Sequence, residues 1–242
     1  MGEVQIAPGG APKGAPGAAV RERYARIHVE IRKRICLLDY PPGERLSEEK
    51  IATEFGTSRT PIRQVLARLE GEGLVKSVHG VGTFVTDANL EELEQAYRLR
   101  IELAGLTREL SPRAPDTALM DEFRALRARS KDMPKSGTPR TFTQLDMDLF
   151  EVLMRLTGNQ PLREICQRLY YRTKRIWIKS AVAAELDLHE EFYMFDRELE
   201  DIISALEIGD IEALGNIQKA HISMSFQRLL AATHKTTKSA IS

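Results

Sequence analysis

The chain has 242 residues, enough for two domains, and its 35 Lys and Arg balance 35 Asp and Glu, so the formal net charge is zero. It contains no apolar run of membrane-spanning length and no hydrophobic segment of the signal-peptide kind near its start, which argues against a membrane protein and predicts a cytoplasmic location. Cys36 and Cys166 lack metal-type spacing and are expected to be reduced thiols.

The first segment, residues 1–19, is rich in Gly, Ala and Pro and is expected to be a flexible tail. Apolar residues then recur at helical spacing and predict a helix over residues 20–38. The residues of this apolar face are Tyr24, Ile27, Ile31, Ile35 and Leu38. A second helix is predicted from Glu48 to Phe55, with Ser47 as its N-cap.

A third helix is predicted to begin after Ser58, because a serine hydroxyl can accept from the orphan N–H groups of a first turn and Pro61 is tolerated there. The apolar face of this helix consists of Ile62, Val65, Leu66 and Leu69. Arg59, Thr60 and Arg63 lie near the opposite face at the N-terminal end, where a recognition helix meets the edges of DNA bases.

The segment after this helix predicts a β-hairpin. Residues 74–75 and 83–85 are strand-like and flank a turn at residues 79–82 that contains two glycines. Three helices followed by a hairpin predict a winged helix-turn-helix over residues 20–87.

Residues 88–235 lack strand-like runs and predict an all-α antiparallel bundle of about six helices, so the chain as a whole is mainly α; residues 236–242 are expected to be a flexible tail. The predicted helices run from a cap at Asn89 to about Leu110, from Asp116 to about Lys131, from about Phe142 to Leu156, from Pro161 to about Ala183, from about Glu190 to Ile208 and from Ile211 to about Ala232, with a loop at residues 133–139.

Four motifs in the first 87 residues resemble the DNA-binding domain of bacterial GntR-family transcription regulators. They are Pro42-Gly43-x-Arg45-Leu46, Ser58-Arg59-Thr60-Pro61-Ile62-Arg63, Leu69-Glu70-x-x-Gly73-Leu74-Val75 and Gly80-x-Gly82-Thr83-Phe84-Val85. The resemblance implies contacts with double-stranded DNA from the recognition helix, from Arg45 and Lys50 to phosphate, and from His79 and Gly80 at the wing tip. The alternatives are solvated helix charges for the arginines and a simple tight turn for the tip.

Residues 88–235 resemble the C-terminal ligand-binding domain of the FadR-type branch of that family, in its shorter VanR-like version. The motifs are Arg98-x-x-x-Glu102, Asp146 followed by Thr157-Gly158-Asn159-x-x-Leu162, and Ile211-x-Ala213 after Gly209-Asp210, ending at His221. Many members hold a metal with one Asp and three His. The matching positions here are Asp146, Phe150, Leu199 and His221. Only the first and last retain a ligand, so no tightly bound metal or other cofactor is expected.

The same four positions are expected to line an effector cavity together with Arg98, whose guanidinium fork suits an organic acid or another partly apolar anion. The alternatives are a hydrogen-bonded core role for His221, a solvated or paired role for Asp146, and pairing of Arg98 with Glu102 one turn away.

These patterns predict a ligand-responsive DNA-binding regulator, by default a repressor, that binds a pseudo-palindromic operator as a homodimer. The alternative is a DNA-binding dimer whose helical domain only dimerises and binds no effector. An enzyme is not expected, because the chain has no Gly-rich phosphate loop and no nucleophile elbow, and its five histidines are scattered.

Overall fold

The computed structural model describes residues 16–87, 90–183 and 186–241, and within these ranges it contains nine α-helices and one three-stranded sheet. In chain order the elements are α1 (Pro16–Cys36), β1 (Arg45–Leu46), α2 (Glu48–Glu54), α3 (Arg59–Gly71), β2 (Val75–Val78), β3 (Gly82–Val85), α4 (Leu90–Leu106), α5 (Thr117–Ser136), α6 (Pro139–Leu153), α7 (Gln160–Val182), α8 (Leu188–Glu207) and α9 (Ile211–Ile241). A short 3-10 helix, Met154–Leu156, follows α6 directly.

The N-terminal unit consists of α1, α2, α3 and the sheet. Ile27, Ile31 and Ile35 of α1 are buried in one cluster with the apolar face of α3, which includes Ile62 and Leu69. The strand order is β1-β3-β2, with both pairings antiparallel. The predicted winged helix-turn-helix is therefore confirmed, with α3 as its third helix and β2–β3 as its wing.

Strand β1 is absent from the sequence-based prediction, because two residues are too few to show the alternation that marks a strand. Its Arg45 lies opposite Phe84 and its Leu46 opposite Thr83, both in β3. This pairing ties the segment that enters α2 to the wing and places Arg45 beside it.

The two predicted N-caps differ in outcome. Ser47 caps α2, because its hydroxyl accepts from the N–H of Lys50 at 3.3 Å. Ser58 stands at the N-cap of α3 in an extended conformation, with φ −83° and ψ 169°, but its side chain makes no capping hydrogen bond. The third position of α3 is Pro61, which has no N–H to donate, and this removes one of the two usual partners of a capping hydroxyl.

Helices α4 to α9 form the predicted bundle of six helices, counted over the described residues. Its core includes Phe123, Phe195, Leu199 and Ile202, each at most 1% exposed. Side-chain caps begin several of these helices: Asp116 accepts from Leu119 N at 2.8 Å, Thr138 and Thr141 form a capping box, and Asn159 accepts from Leu162 N at 3.0 Å.

Several helix ends differ from the predicted ones. Helix α1 begins at Pro16, four residues before the expected start, and α9 continues to Ile241 past Ala232, because residues 233–241 contain no Gly or Pro to stop it. Helix α5 extends into the expected loop as far as Ser136, since Met133 packs on the core of the bundle. Residues 1–15 and the predicted cap Asn89 lie outside the described residues.

The two units share a buried interface between α1 and α7. Tyr170 and Tyr171 of α7 belong to the same apolar cluster as α1, and the Cys36 thiol donates to the Tyr171 carbonyl at 3.8 Å. The buried Arg175 donates to the carbonyl of Thr86 at 2.5 Å and to its hydroxyl at 3.0 Å. These contacts anchor the end of the wing to the helical bundle.

Both cysteines are free and buried. Burial raises the pKa of Cys36 to about 12 and that of Cys166 to about 11, so both thiols are protonated at neutral pH. Across the described parts of the chain, every helix is too short or too polar to cross a bilayer.

Candidate functional site

The N-terminal end of α3 is open to solvent. Arg59, Thr60 and Arg63 are all exposed, and so is Ser58 immediately before them. The side chains of Arg59 and Arg63 are 55% and 64% exposed, so neither guanidinium is packed inside the fold. This end of α3 is accessible to a large partner.

Both arginines are paired with glutamates of α2. Arg59 Nη2 donates to Glu49 Oε2 at 2.7 Å, and Arg63 Nε donates to Glu48 Oε2 at 2.7 Å. Exposed ion pairs of this kind contribute only about 0–1 kcal/mol, so an anionic partner can displace the glutamates at small cost.

The wing faces the same side of the molecule. Its tip, His79 and Gly80, is exposed, and Gly80 has φ +73°, a conformation that L residues rarely adopt. Arg45 packs against the wing, since a Cβ built on Gly82 would lie 2.7 Å from its Nε. An open cleft of about 760 Å³ is lined by five of the predicted DNA-contacting residues, namely Arg45, Lys50, Arg59, His79 and Gly80.

A second feature is a cavity of about 80 Å³ inside the helical bundle. It is lined by Arg100, Ala104, Asp146, Leu149, Phe150, Leu153, Met154, Cys166, Tyr170, Glu198, Gln218, His221 and Ile222. A neighbouring cavity of about 50 Å³ shares Arg100, Asp146, Tyr170, His221 and Ile222 and adds Tyr97, Lys174, Trp177 and Ser225. The two form one chamber with a mainly apolar wall and a few charged groups, the usual composition of a small-molecule site.

Three of the five predicted pocket residues line the chamber and two do not. Asp146, Phe150 and His221 line the chamber. Leu199 is fully buried in the apolar core and does not line it; the residue of α8 that does is its neighbour Glu198. Arg98 lies on the surface, where its side chain is 73% exposed and pairs with Glu94 at 2.6 Å instead of Glu102.

The arginine that reaches the chamber is Arg100, two positions after the Arg98 that the motif match indicates. Two residues along a helix are separated by about 200° around its axis, so Arg98 and Arg100 point to opposite sides of α4. The helical spacing could have identified Arg100 as a residue of the inner face of α4. Tyr97, Arg100 and Ala104 follow the i, i+3, i+7 pattern and therefore lie on one face of the helix.

The direct contacts of Arg100 are with uncharged groups. Its Nη1 donates to the Thr173 hydroxyl at 2.7 Å, and its guanidinium carbon lies 5.2 Å and 5.1 Å from the ring centres of Tyr97 and Tyr170. Among the described residues, no carboxylate lies within ion-pair distance of it. Arg100 is therefore a cation at the chamber wall that an anionic ligand can neutralise.

The two carboxylates of the chamber are already paired. Asp146 Oδ2 lies 2.6 Å from the ammonium of Lys174 and also accepts from the Tyr170 hydroxyl. Burial by itself raises the pKa of Asp146, but Lys174 and Tyr170 hold that pKa below its ordinary value. Glu198 Oε2 lies 2.9 Å from His221 Nδ1. Burial lowers the pKa of His221, but the charge of Glu198 outweighs it and the pKa is raised.

The donor set does not fit the metal site that the resemblance implies. Phe150 and Leu199 offer no ligand atom, and Leu199 lies in the core. Asp146 is engaged by Lys174 and Tyr170. No group of three or more His, Cys, Asp or Glu side chains able to hold a metal occurs within the described ranges. Three or four converging donors are the minimum for a tight transition-metal site.

Comparison with known proteins identifies both units. Residues 23–85 match the family model described as bacterial regulatory proteins of the gntR family, and residues 94–224, more than half of the chain, match the FCD domain. The chain is 29% identical over 150 residues to an uncharacterized HTH-type transcriptional regulator, YdhC, of Bacillus subtilis (strain 168). The aligned segment is 60% of this chain and 66% of that protein.

A second relative is the probable D-xylose utilization operon transcriptional repressor of Paenarthrobacter nicotinovorans, 26% identical over 183 residues, or 76% of this chain and 78% of that protein. The fold is similar to that of McbR/YncC from E. coli, with a TM-score of 0.73 and 17% identity over 86% of this chain and 97% of that one. These matches, with the winged helix and the helical bundle, show that the chain belongs to the GntR family and is a transcription regulator with an FCD domain, not an enzyme.

Proposed function

We propose that the chain is a ligand-responsive repressor that acts in the cytoplasm and binds a pseudo-palindromic operator as a homodimer. The observation that carries the proposal is that Arg59 and the wing tip are exposed around one cleft, with the exposed Arg63 one turn further along α3. Arginine forms the commonest specific contact with guanine in the major groove, and a wing with glycine at its tip is narrow enough for the minor groove.

The homodimer follows from the length of DNA that one unit can cover. A single recognition helix contacts only a few base pairs, and specific sites are usually read by two helices one turn of DNA apart. Two-fold symmetry of the protein then requires a matching symmetry in the operator. The repressor assignment is supported by the relative from Paenarthrobacter nicotinovorans, which is a probable operon repressor.

The proposed effector is a small organic acid or another partly apolar anion held in the chamber. Arg100 is its anchor, because it is the chamber cation without a carboxylate partner among the described residues, and the rings of Tyr97, Phe150 and Tyr170 supply apolar surface. A ligand changes operator binding only if it prefers one arrangement of the two DNA-binding units over the other.

Contacts of α7 connect the chamber to the DNA-binding unit, so a ligand in the chamber can favour one arrangement of that unit. The Tyr170 hydroxyl donates to Asp146 in the chamber, and the next residue, Tyr171, donates to Glu151, which lies 3.6 Å from Arg32 of α1. The Arg32 guanidinium also lies 3.8 Å from the centre of the Tyr171 ring. A ligand that moves Tyr170 therefore acts on contacts that hold the DNA-binding unit.

The first test is a DNase footprint and a mobility shift on the promoter region beside the chain's own gene. We expect protection of a symmetric site and a preference for it over random DNA. Equal binding to random DNA of the same length would refute the regulator proposal.

The second test is a thermal-shift screen with a panel of small carboxylic acids, using wild type, Arg100→Gln and the matched control Arg98→Gln. A true ligand at 100 times its dissociation constant stabilises the fold by about 2.7 kcal/mol. We expect this shift in wild type and Arg98→Gln and its loss in Arg100→Gln. A flat screen would favour the dimer whose helical domain binds no effector.

A further inference from the structure

Lys174 is a buried lysine in the middle of the chamber. Its side chain is 8% exposed, and its ammonium lies 2.6 Å from Asp146 Oδ2, whose own side chain is 18% exposed. Removing two charges from water costs several kcal/mol per ion unless the pair is close and further hydrogen-bonded. The hydroxyl of Tyr170 supplies that extra bond to Asp146.

Aromatic rings hold the ammonium in place from other sides. Lys174 Nζ lies 5.0 Å from the centre of the Trp177 ring and 5.7 Å from that of Phe142, within the range of cation–π attraction. The indole N–H of Trp177 donates to Glu191 at 2.8 Å, and Glu191 is paired with Arg228. The position of the cation is therefore set by packing and not only by the charge of Asp146.

Asp146 is the position at which the metal-holding members of the family place their carboxylate ligand. Here the position one helical turn later is Phe150, which stacks on Tyr170 with ring centres 3.8 Å apart. The apolar ring and the ammonium together occupy the space around the carboxylate. A divalent cation could bind Asp146 only by displacing the ammonium of Lys174, which is covalently attached to α7.

We propose that Lys174 takes the place of the family's metal ion as a covalently tethered cation that neutralises Asp146, so that the chamber receives its ligand without a metal. The role toward the ligand rests on the effector function proposed above, but the charge replacement does not. The chamber then holds two internal pairs, Lys174–Asp146 and His221–Glu198, and leaves Arg100 for the ligand.

The first experiment uses the full-length wild-type protein after dialysis against EDTA. Zn²⁺, Ni²⁺ and Mn²⁺ are titrated by isothermal calorimetry, and melting temperatures are compared with and without each metal. We expect no stoichiometric heat and the same melting temperature in EDTA and in metal. Binding of one metal ion per chain, lost in Asp146→Asn, would overturn the proposal.

The second experiment is a double-mutant cycle on the pair. Lys174→Met and Asp146→Asn each leave one buried charge without its partner, so each is expected to lower the melting temperature by several degrees. The double variant Lys174→Met/Asp146→Asn should recover most of that loss, since no charge remains unpaired. Additive losses in the double variant would contradict the neutralisation of Asp146 by Lys174.

Lys179→Met is the matched control on the same helix, because that lysine is 39% exposed and pairs with Asp87 at the surface. It should change the melting temperature little. Neither experiment involves DNA or an effector, so failure here would leave the regulator function untouched.

Discussion

The paired arginines of α3 lead to a prediction with opposite signs for the two partners of each pair. In the free protein Arg59 is bound to Glu49, and it must leave that carboxylate to contact a base. The side chains are 55% and 73% exposed, which places the pair in the class worth about 0.2–1 kcal/mol. Glu49→Gln removes both the competing contact and a negative charge that lines the cleft proposed to receive DNA. We therefore expect it to tighten operator binding by about 1.4- to 5-fold.

Substitution of the arginine, in contrast, removes the proposed contact between Arg59 and a base. Loss of a specific arginine–base contact costs about 1–3 kcal/mol, and the glutamate pair in the free protein reduces the net effect toward the lower end. Arg59→Ala should therefore cost about 1–2 kcal/mol, which weakens binding about 5- to 30-fold, and it should relax the preference for one base.

The assay is fluorescence anisotropy with the footprinted operator and with a shuffled duplex, at one fixed salt concentration, because phosphate contacts make affinity depend on salt. Arg124→Ala in α5 is the control, since it makes the same change of charge at an exposed arginine of the helical domain. Unchanged operator affinity in both Arg59→Ala and Arg63→Ala, or weaker binding by Glu49→Gln, would refute the assignment of α3 as the recognition helix.

Three further predictions concern stability and the wing. Glu72 accepts a hydrogen bond from an imidazole of α1, and although burial alone raises the pKa of Glu72, that contact holds the pKa below 4.5. The free energy of unfolding should therefore fall as the pH drops below about 4.5 and through the pKa of the folded state. Glu72→Gln should flatten this pH dependence when it is measured by urea unfolding. An equally steep loss in the variant would contradict the assignment. Phe195→Ala in the core, at 1% exposure, should cost about 3–5 kcal/mol by urea unfolding, and a loss below about 1 kcal/mol would argue against the bundle core. Gly80→Ala and Gly82→Ala both strain the backbone, because φ is +73° and +140° at these positions, but only the Cβ of Gly82→Ala also lies 2.7 Å from the Arg45 side chain. We therefore expect Gly82→Ala to weaken operator binding in anisotropy more than Gly80→Ala, and equal effects would argue against a DNA contact by Arg45.

Much of the fold was predictable because helices with one buried face repeat their apolar residues every three to four positions. The six helices after residue 87 and the three before it follow that rule, and Gly, Pro and Asn mark most of their ends. Strand β1 was missed because its existence depends on pairing with β3, a contact between residues about 40 positions apart.

The candidate site divides in the same way. The exposed face of α3 could be assigned from its own residues, because a helix with one apolar face must turn the other toward solvent. The pocket residues of α4 and α8 were misplaced by one or two positions, Arg98 for Arg100 and Leu199 for Glu198. Such an error is invisible in a motif match but turns a side chain by about 100° to 200° around its helix.

What the sequence by itself determined is therefore the order and kind of elements, the winged helix and the membership of a family of regulators, since these follow from local periodicity and from short motifs. What only the tertiary structure decided is which charges meet inside the bundle. The pairing of Lys174 with Asp146 joins α7 to α6, and Arg100, which has no carboxylate partner in the described part of the chain, lines the same chamber. Contacts between helices depend on how each is rotated against its neighbours, and that rotation is set by the packing of the whole core.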